Sequence, residues 1–282
     1  MVVQQHGRPG DSAGVPARRV AAAVAVASLV AGVSGCGGGA EAGDRNADPT
    51  QAVREAPDRL VREGSSRART AMEMASGGTR VTIEGEGVYD YRKGIGELKV
   101  RLPQDAAGAQ EHRPITELLA PGALFMKNRG SGVPDDKWVR VDTASLTDGN
   151  LVTGGATDPL AAAELLRGAR QVTYAGESEI EGTTTRHYRG SIDLTAAARA
   201  ASRGNEGALA AAAKGFGKEP VLFDVYLDED GLIRKVRHRF GFANGPQKKE
   251  VASTTLLYGF GKTVQVRLPD KKDIFSGRVA EK

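Results

Sequence analysis

Residues 81–102 read VTIEGEGVYDYRKGIGELKVRL. Val81 and Ile83 alternate with Thr82 and Glu84, and Tyr89 and Tyr91 continue on the same side. Leu98, Val100 and Leu102 then alternate with Lys99 and Arg101. A period of two sends successive side chains to opposite faces of a strand. Lys93-Gly94 supplies a turn between the two runs. The segment is predicted to be a β-hairpin with one dry face and one wet face.

Further strands are expected downstream at Ala123–Met126 and Trp138–Val141, with the loop GSGVPDD between them. Val172–Tyr174 and Thr183–Ile192 follow, with Glu181-Gly182 as the turn. Val221, Phe223, Val225 and Leu227 share one face of a strand that ends at the hairpin turn Asp230-Gly231. Leu232, Val236 and Phe240 share the next strand's face, opposite Lys235, Arg237 and Arg239. Thr254–Phe260 and Val264–Leu268 are expected to finish the sheet. Asp158-Pro159 is the signature of a helix start, with Leu160, Leu165 and Leu166 on its apolar face and Gly168 at its end. Alanine dominates Leu194–Phe216, and Gly204 and Gly207 make it two helices or one broken one. Upstream, Val53, Leu60, Val61, Ala68, Ala71, Met72 and Ala75 form a loose helical stripe from Pro49 to about Ala75. Pro57 is expected to kink this helix or move its start to Asp58, and Gly77-Gly78 to end it. Alternation of helices with meanders points to an α+β fold built on one large, curved antiparallel sheet.

The N-terminal end has a different character. Thirteen of the fourteen residues from Val20 to Val33 are Val, Ala, Leu or Gly, and Arg18-Arg19 precede them. A positive head, a short apolar core and small residues before a cut make a secretory signal. Val33-Ser34-Gly35-Cys36 resembles a lipobox, with the chain's only cysteine at the acceptor position. The expected organisation is therefore a lipoprotein signal over 1–35, cut between Gly35 and Cys36, and a lipid-anchored flexible tether over 36–48. A domain follows over 49–282. A diacylglyceryl cysteine carries two chains, enough for stable anchoring at the extracytoplasmic face of the cell membrane. The tether reaches about 20 Å. An ordinary signal with a chance cysteine is the other reading.

From Cys36 onward the chain holds 36 Lys and Arg against 34 Asp and Glu. That near balance, with no basic block interleaved with aromatics, argues against a nucleic-acid partner. No internal disulfide is possible, so the fold rests on core burial. The histidines of this part, His112, His187 and His238, lie far apart and lack metal-ligand spacing. Asp228-Glu229-Asp230-Gly231 has the look of a calcium loop. Setting Gly231 at the sixth position puts Tyr226 first and Arg237 twelfth, which are not the carboxylates such a loop requires. No nucleophile elbow or phosphate loop is present, so neither an enzyme nor a cofactor is indicated.

Several short motifs recur in one order: the lipobox, Gly85–Tyr91 leading to Gly96-Glu97-Leu98, Lys137–Val141, Asp158-Pro159-Leu160, Gly182–Tyr188, and Val225–Asp228 with Gly231–Lys235. In that order they resemble the LppX/LprAFG-like lipoproteins of actinobacteria, whose fold is similar to the LolA-type carriers. The resemblance implies a half-open barrel, a curved sheet wrapped around a few helices with an apolar cavity between. It implies a lipid or lipoglycan ligand carried within the envelope, and an envelope transporter or sensor protein as partner. The cavity-lining candidates are Leu98, Val100, Leu102, Val221, Phe223, Val225 and Leu227. The same faces read equally well as packed core. The alternative function is a sensor or scaffold lipoprotein that contacts proteins and carries no ligand.

Overall fold

Helix α1, Pro49–Glu63, begins where Asp48 accepts a hydrogen bond from the Thr50 amide, with Pro49 in the first turn. It runs through Pro57 rather than restarting at Asp58, and it buries Val53, Ala56, Pro57 and Leu60. It ends at Gly64, whose φ of 100° is open to glycine, and whose N–H donates to the Leu60 carbonyl. The computed structural model describes residues 48–76, 79–103, 113–130, 132–152, 157–217, 219–244 and 247–277. The expected signal, Gly35, Cys36 and most of the tether lie outside them, as do Gly77, Gly78 and His112.

Beyond Gly64 the expected helix is replaced by a strand, β1, Ser65–Ser76. Alanine and methionine gave this segment a helical look, but its burial has period two. Ser66, Ala68, Thr70 and Met72 are buried, while Arg67 and Arg69 are exposed. The predicted hairpin follows as β2, Thr79–Asp90, and β3, Ile95–Arg101. Next come β4, Ile115–Ala120, β5, Ala123–Lys127, and β6, Val139–Asp142. Sequence reading did not find β4. Its inner residues face the core while Leu118 is buried on the other side, so it lacks simple alternation.

Asp158 caps α2, Pro159–Glu164, by accepting from the Leu160 and Ala161 amides, and a 3-10 segment Leu165–Gly168 continues it. β7, Ala169–Ile180, and β8, Thr183–Ile192, form the second hairpin. The alanine-rich stretch is two helices, α3, Leu194–Ala200, and α4, Glu206–Gly215. β9, Val221–Leu227, β10, Ile233–Asn244, and β11, Gln247–Tyr258, complete the sheet.

All eleven described strands form one antiparallel sheet in the order β6-β5-β4-β3-β2-β1-β11-β10-β9-β8-β7. Two meanders are thus joined by the first and last strands, with Arg67 opposite Tyr258 and Met74 opposite Val251. The curved sheet is open, with β6 and β7 at its edges, and one apolar cluster joins its inner face to all four helices. Val264–Leu268, expected as a strand, is not one. Both sides of β11 are already occupied by β1 and β10. Gly259 and Gly261, at φ 60° and 69°, turn the chain away instead. The C-terminal segment then crosses the outer face, where Val266 and Ile274 pack with Leu118, Ala123, Phe125 and Trp138. Trp138 and Ile274 form a parallel bridge just before β6.

Candidate functional site

The inner face of the sheet is assembled by register. Leu98 stands opposite Glu117, Glu117 opposite Met126, and Met126 opposite Val139, so one row crosses β3 to β6. On the other half, Val236 stands opposite Val225 and Val225 opposite Tyr188. Of the seven residues expected to line a cavity, Leu98, Val100, Val221, Phe223, Val225 and Leu227 belong to the main apolar cluster. Leu102 packs at its margin and lines a cleft.

Helices α2, α3 and α4 bury mostly small side chains. α2 buries Ala161, Ala162 and Ala163, α3 buries Ala197 and Ala198, and α4 buries Ala208 and Ala212. On α2, α3 and α4 leucines are fewer, Leu160, Leu194 and Leu209, while Leu60 of α1 and Leu165 and Leu166 of the 3-10 segment add larger side chains. Each buried methylene contributes about 0.8 kcal/mol. An alanine layer is therefore easier to separate from a sheet than a leucine layer of equal extent. Polar contacts hold its corners. Arg167 makes a two-pronged bond to Asp58, at 2.7 and 3.2 Å, which holds the Asp58 carboxyl below its ordinary range. Arg54 donates to the Ala169 carbonyl at 2.7 and 3.0 Å. Glu164 accepts from the Ser202 amide, the Ser202 hydroxyl and the Asn205 side chain.

Two clefts open beside this interior. The first, about 340 Å³, is walled by Leu102, Ile115, Val133 and Pro134 and rimmed by Arg113, Asn128, Arg129 and Asp135. The second, about 530 Å³, lies between the start of β7 and the α3–α4 helices, where Arg170 meets Asp193 at 2.6 Å.

Polar groups inside the half-barrel stand out against its apolar lining. Glu117 is fully buried, and neither carboxyl oxygen has a hydrogen-bond partner among the described residues. Burial pushes its pKa up to about 8, against the pull of the Arg129 charge. Thr70 and Thr255 face each other across β1 and β11, both hydroxyls without a partner among the described residues. His238 is buried on β10, and burial pushes its pKa down to about 3. Beside it Ser253 shares a 2.6 Å bond with Thr157, whose hydroxyl donates to the Leu151 carbonyl. Asp158 adds an acceptor for the Tyr89 hydroxyl to its capping bonds, and burial raises its pKa to about 6.

The remaining described histidine, His187, lies on the outer face, bonded to Asp224 at 2.9 Å and stacked on Tyr226. Asp224 also accepts from Arg239. This is a cross-strand charge ladder on the wet side. Asp228 serves the β9–β10 turn, accepting from the Asp230 and Leu232 amides and from Arg234. No group of three His, Cys, Asp or Glu side chains among the described residues is arranged to hold a metal ion. No described helix is long and apolar enough to cross a membrane. Sequence reading missed Glu117. Its signal was an acidic residue in step with Ile115 and Leu119 in a strand that was itself overlooked.

No protein-family profile and no curated protein sequence matches the chain. Solved structures do. The chain is similar to the lipoprotein LppX of Mycobacterium tuberculosis, at 12% identity over 78% of this chain and 98% of that one, with a TM-score of 0.49. It is similar to LprF from Mycobacterium bovis, at 13% identity over 78% and 96%, with a TM-score of 0.40. A LolA superfamily protein from Nitrosomonas europaea is matched at 11% identity over 80% and 97%, with a TM-score of 0.34. The chain's own architecture is an open eleven-stranded antiparallel sheet with a few helices on its inner face.

Proposed function

We propose that the chain is a membrane-anchored, extracytoplasmic lipoprotein. It binds a lipid or lipoglycan between its sheet and its helix layer and carries it within the cell envelope. It acts by binding rather than by catalysis, and Cys36 is its lipid attachment point. The observation that carries this reading is the largely apolar inner face, which α2, α3 and α4 cover with more alanine than leucine. Such a layer can part from the sheet at modest cost and admit acyl chains along Leu98, Val100, Phe223 and Val225. The clefts at Leu102 and at Leu194 are the entries. A second reading, a sensor or scaffold that contacts proteins, draws on β7, an edge strand of twelve residues on which Tyr174 is 50% exposed.

Mass spectrometry of the full chain made in its native cell tests the proposal. Organic extracts are expected to release a lipid from the wild type and little from Val100→Trp. The folded variant's thermal midpoint should stay close to the wild type. Overfilling a rigid core would instead cost about 1–3 kcal/mol. Intact mass should show a diacylglyceryl adduct that Cys36→Ala lacks. A wild type free of extractable lipid would discard the carrier reading in favour of protein contact.

A further inference from the structure

Glu117 breaks the rule of its surroundings. On β4 its inner-face neighbours are Ile115 and Leu119, and across the strands it faces Leu98 and Met126. All four are buried apolar residues of the main cluster. Buried polar groups are nearly always hydrogen-bonded, and one that is not asks for a reason. Leaving such a group unsatisfied costs about 1–3 kcal/mol. A methionine would fill the space without that cost. The carboxyl also sits close to an entrance. Ile115, two residues away on the same face, lines the first cleft, and the charge of Arg129 on the cleft rim acts on Glu117.

We propose that Glu117 is the hydrogen-bonding anchor for the polar end of the ligand, a hydroxyl carried next to the acyl chain of an amphiphile that enters by the Leu102–Ile115 cleft. This deepens the carrier reading and rests on it. Burial keeps the carboxyl in its acid form at neutral pH, with Arg129 the charged group that opposes this. The acid form has one O–H to donate and a carbonyl oxygen to accept with. A hydroxyl, itself donor and acceptor, satisfies both at once. A plain alkyl chain or ester satisfies at most the donor. Glu117 is then costly in the empty protein and satisfied in the loaded one, so that polar recognition sits on an otherwise greasy wall. A site built to bond a hydroxyl discriminates strongly against ligands that lack it, because its own polar group is then left unpaired.

The test uses two fluorescent probes with the same acyl chain, a monoacylglycerol and the corresponding methyl ester. They are titrated into the wild type, Glu117→Gln and Glu117→Met, with thermal melts to verify folding. The wild type is expected to prefer the monoacylglycerol about tenfold or more. Glu117→Met should bind both probes about equally, at the wild type's affinity for the ester. Glu117→Gln, which keeps a donor and an acceptor, should retain part of the preference. An unchanged preference in Glu117→Met, or none in the wild type while both probes bind, overturns the anchor and leaves the carrier reading standing. Binding of neither probe by the folded wild type overturns both.

Discussion

At the scale of single residues, three buried titratable groups tie the stability of this fold to pH. His238 has an ordinary value of 6.5 and is depressed to about 3 by burial. The unfolded chain therefore takes the proton first. The stability His238 contributes is present above about pH 6.5 and is lost as the pH falls towards 3. Glu117 works in the opposite sense. Its value rises from 4.5 to about 8, so its contribution is present below pH 4.5 and is lost as the pH rises through 8. Asp158, raised from 3.8 to about 6, adds to that alkaline limb at its lower end. Denaturant titrations between pH 3 and 9 should show the acid limb flattened in His238→Phe and the upper alkaline limb flattened in Glu117→Met. Glu117→Met should also be more stable than the wild type at pH 7, by about 1–3 kcal/mol. A methionine variant that is less stable, with an unchanged pH profile, would mean the carboxyl is satisfied in solution. None of these values could be read from the sequence, because each depends on burial. That Asp158 begins a helix was legible, from the residue and the proline after it.

At the scale of elements, the meander hairpins were plain in the alternation of residues 81–102 and 221–240. Composition misled where it outweighed period, as in β1, where Ala68 and Met72 line a strand's inner face. It also misled where burial on two sides erased the alternation, as in β4. The alanine-rich segment was legible as helical, but its purpose was not. Helix α4 lies against the turn region Thr143–Asn150 at backbone contact distance. A Cβ at Gly215 would collide with the Thr147 carbonyl, and one at Gly149 with the Ala208 carbonyl. Helix propensity alone would make Gly215→Ala stabilising by up to about 1 kcal/mol. The collision is with backbone, which yields less readily than a side chain, so the net sign should be reversed. Gly215→Ala is expected to lower the thermal midpoint by several degrees, equivalent to about 1–2 kcal/mol in a chain of this size. A midpoint that rises would show that α4 shifts freely on the turn region.

At the scale of the whole molecule, the two edges of the sheet are treated differently. Beside β6 the C-terminal segment adds a partner. Trp138 donates its amide to the Asp273 carbonyl, and the Phe275 amide donates to the Trp138 carbonyl, each at 2.8 Å. The same segment covers Leu118 and Phe125 on the outer face. Removing residues 263–282 should expose that cluster, with a loss of about 1.5–3 kcal/mol for each large apolar side chain uncovered. A lower thermal midpoint and stronger binding of a hydrophobic dye are expected. An unchanged midpoint would make the segment a passive tail. At β7 the described cover is slighter, Arg54 of α1 donating to the Ala169 carbonyl, and irregularity adds protection, since the register shifts between Arg170 and Thr173 and again between Tyr174 and Gly176. The charged rims of the clefts and the partner of β6 come from residues distant in sequence, which is why no reading of local pattern could assemble them.

The pairing of β1 with β11 dictates when this protein can fold. Every other neighbouring pair in the sheet joins consecutive strands, with α3 and α4 lying between β8 and β9. Only the central seam needs both ends of the domain at once. Contacts between distant parts of a chain form late, because loop closure must precede them. A chain delivered from its N-terminus can therefore build its first meander but cannot shield the free side of β1 until Gln247–Tyr258 has arrived. Completion waits for the last strand. For the exported lipoprotein proposed above, this strand order is a built-in delay against folding before passage through a narrow pore is complete.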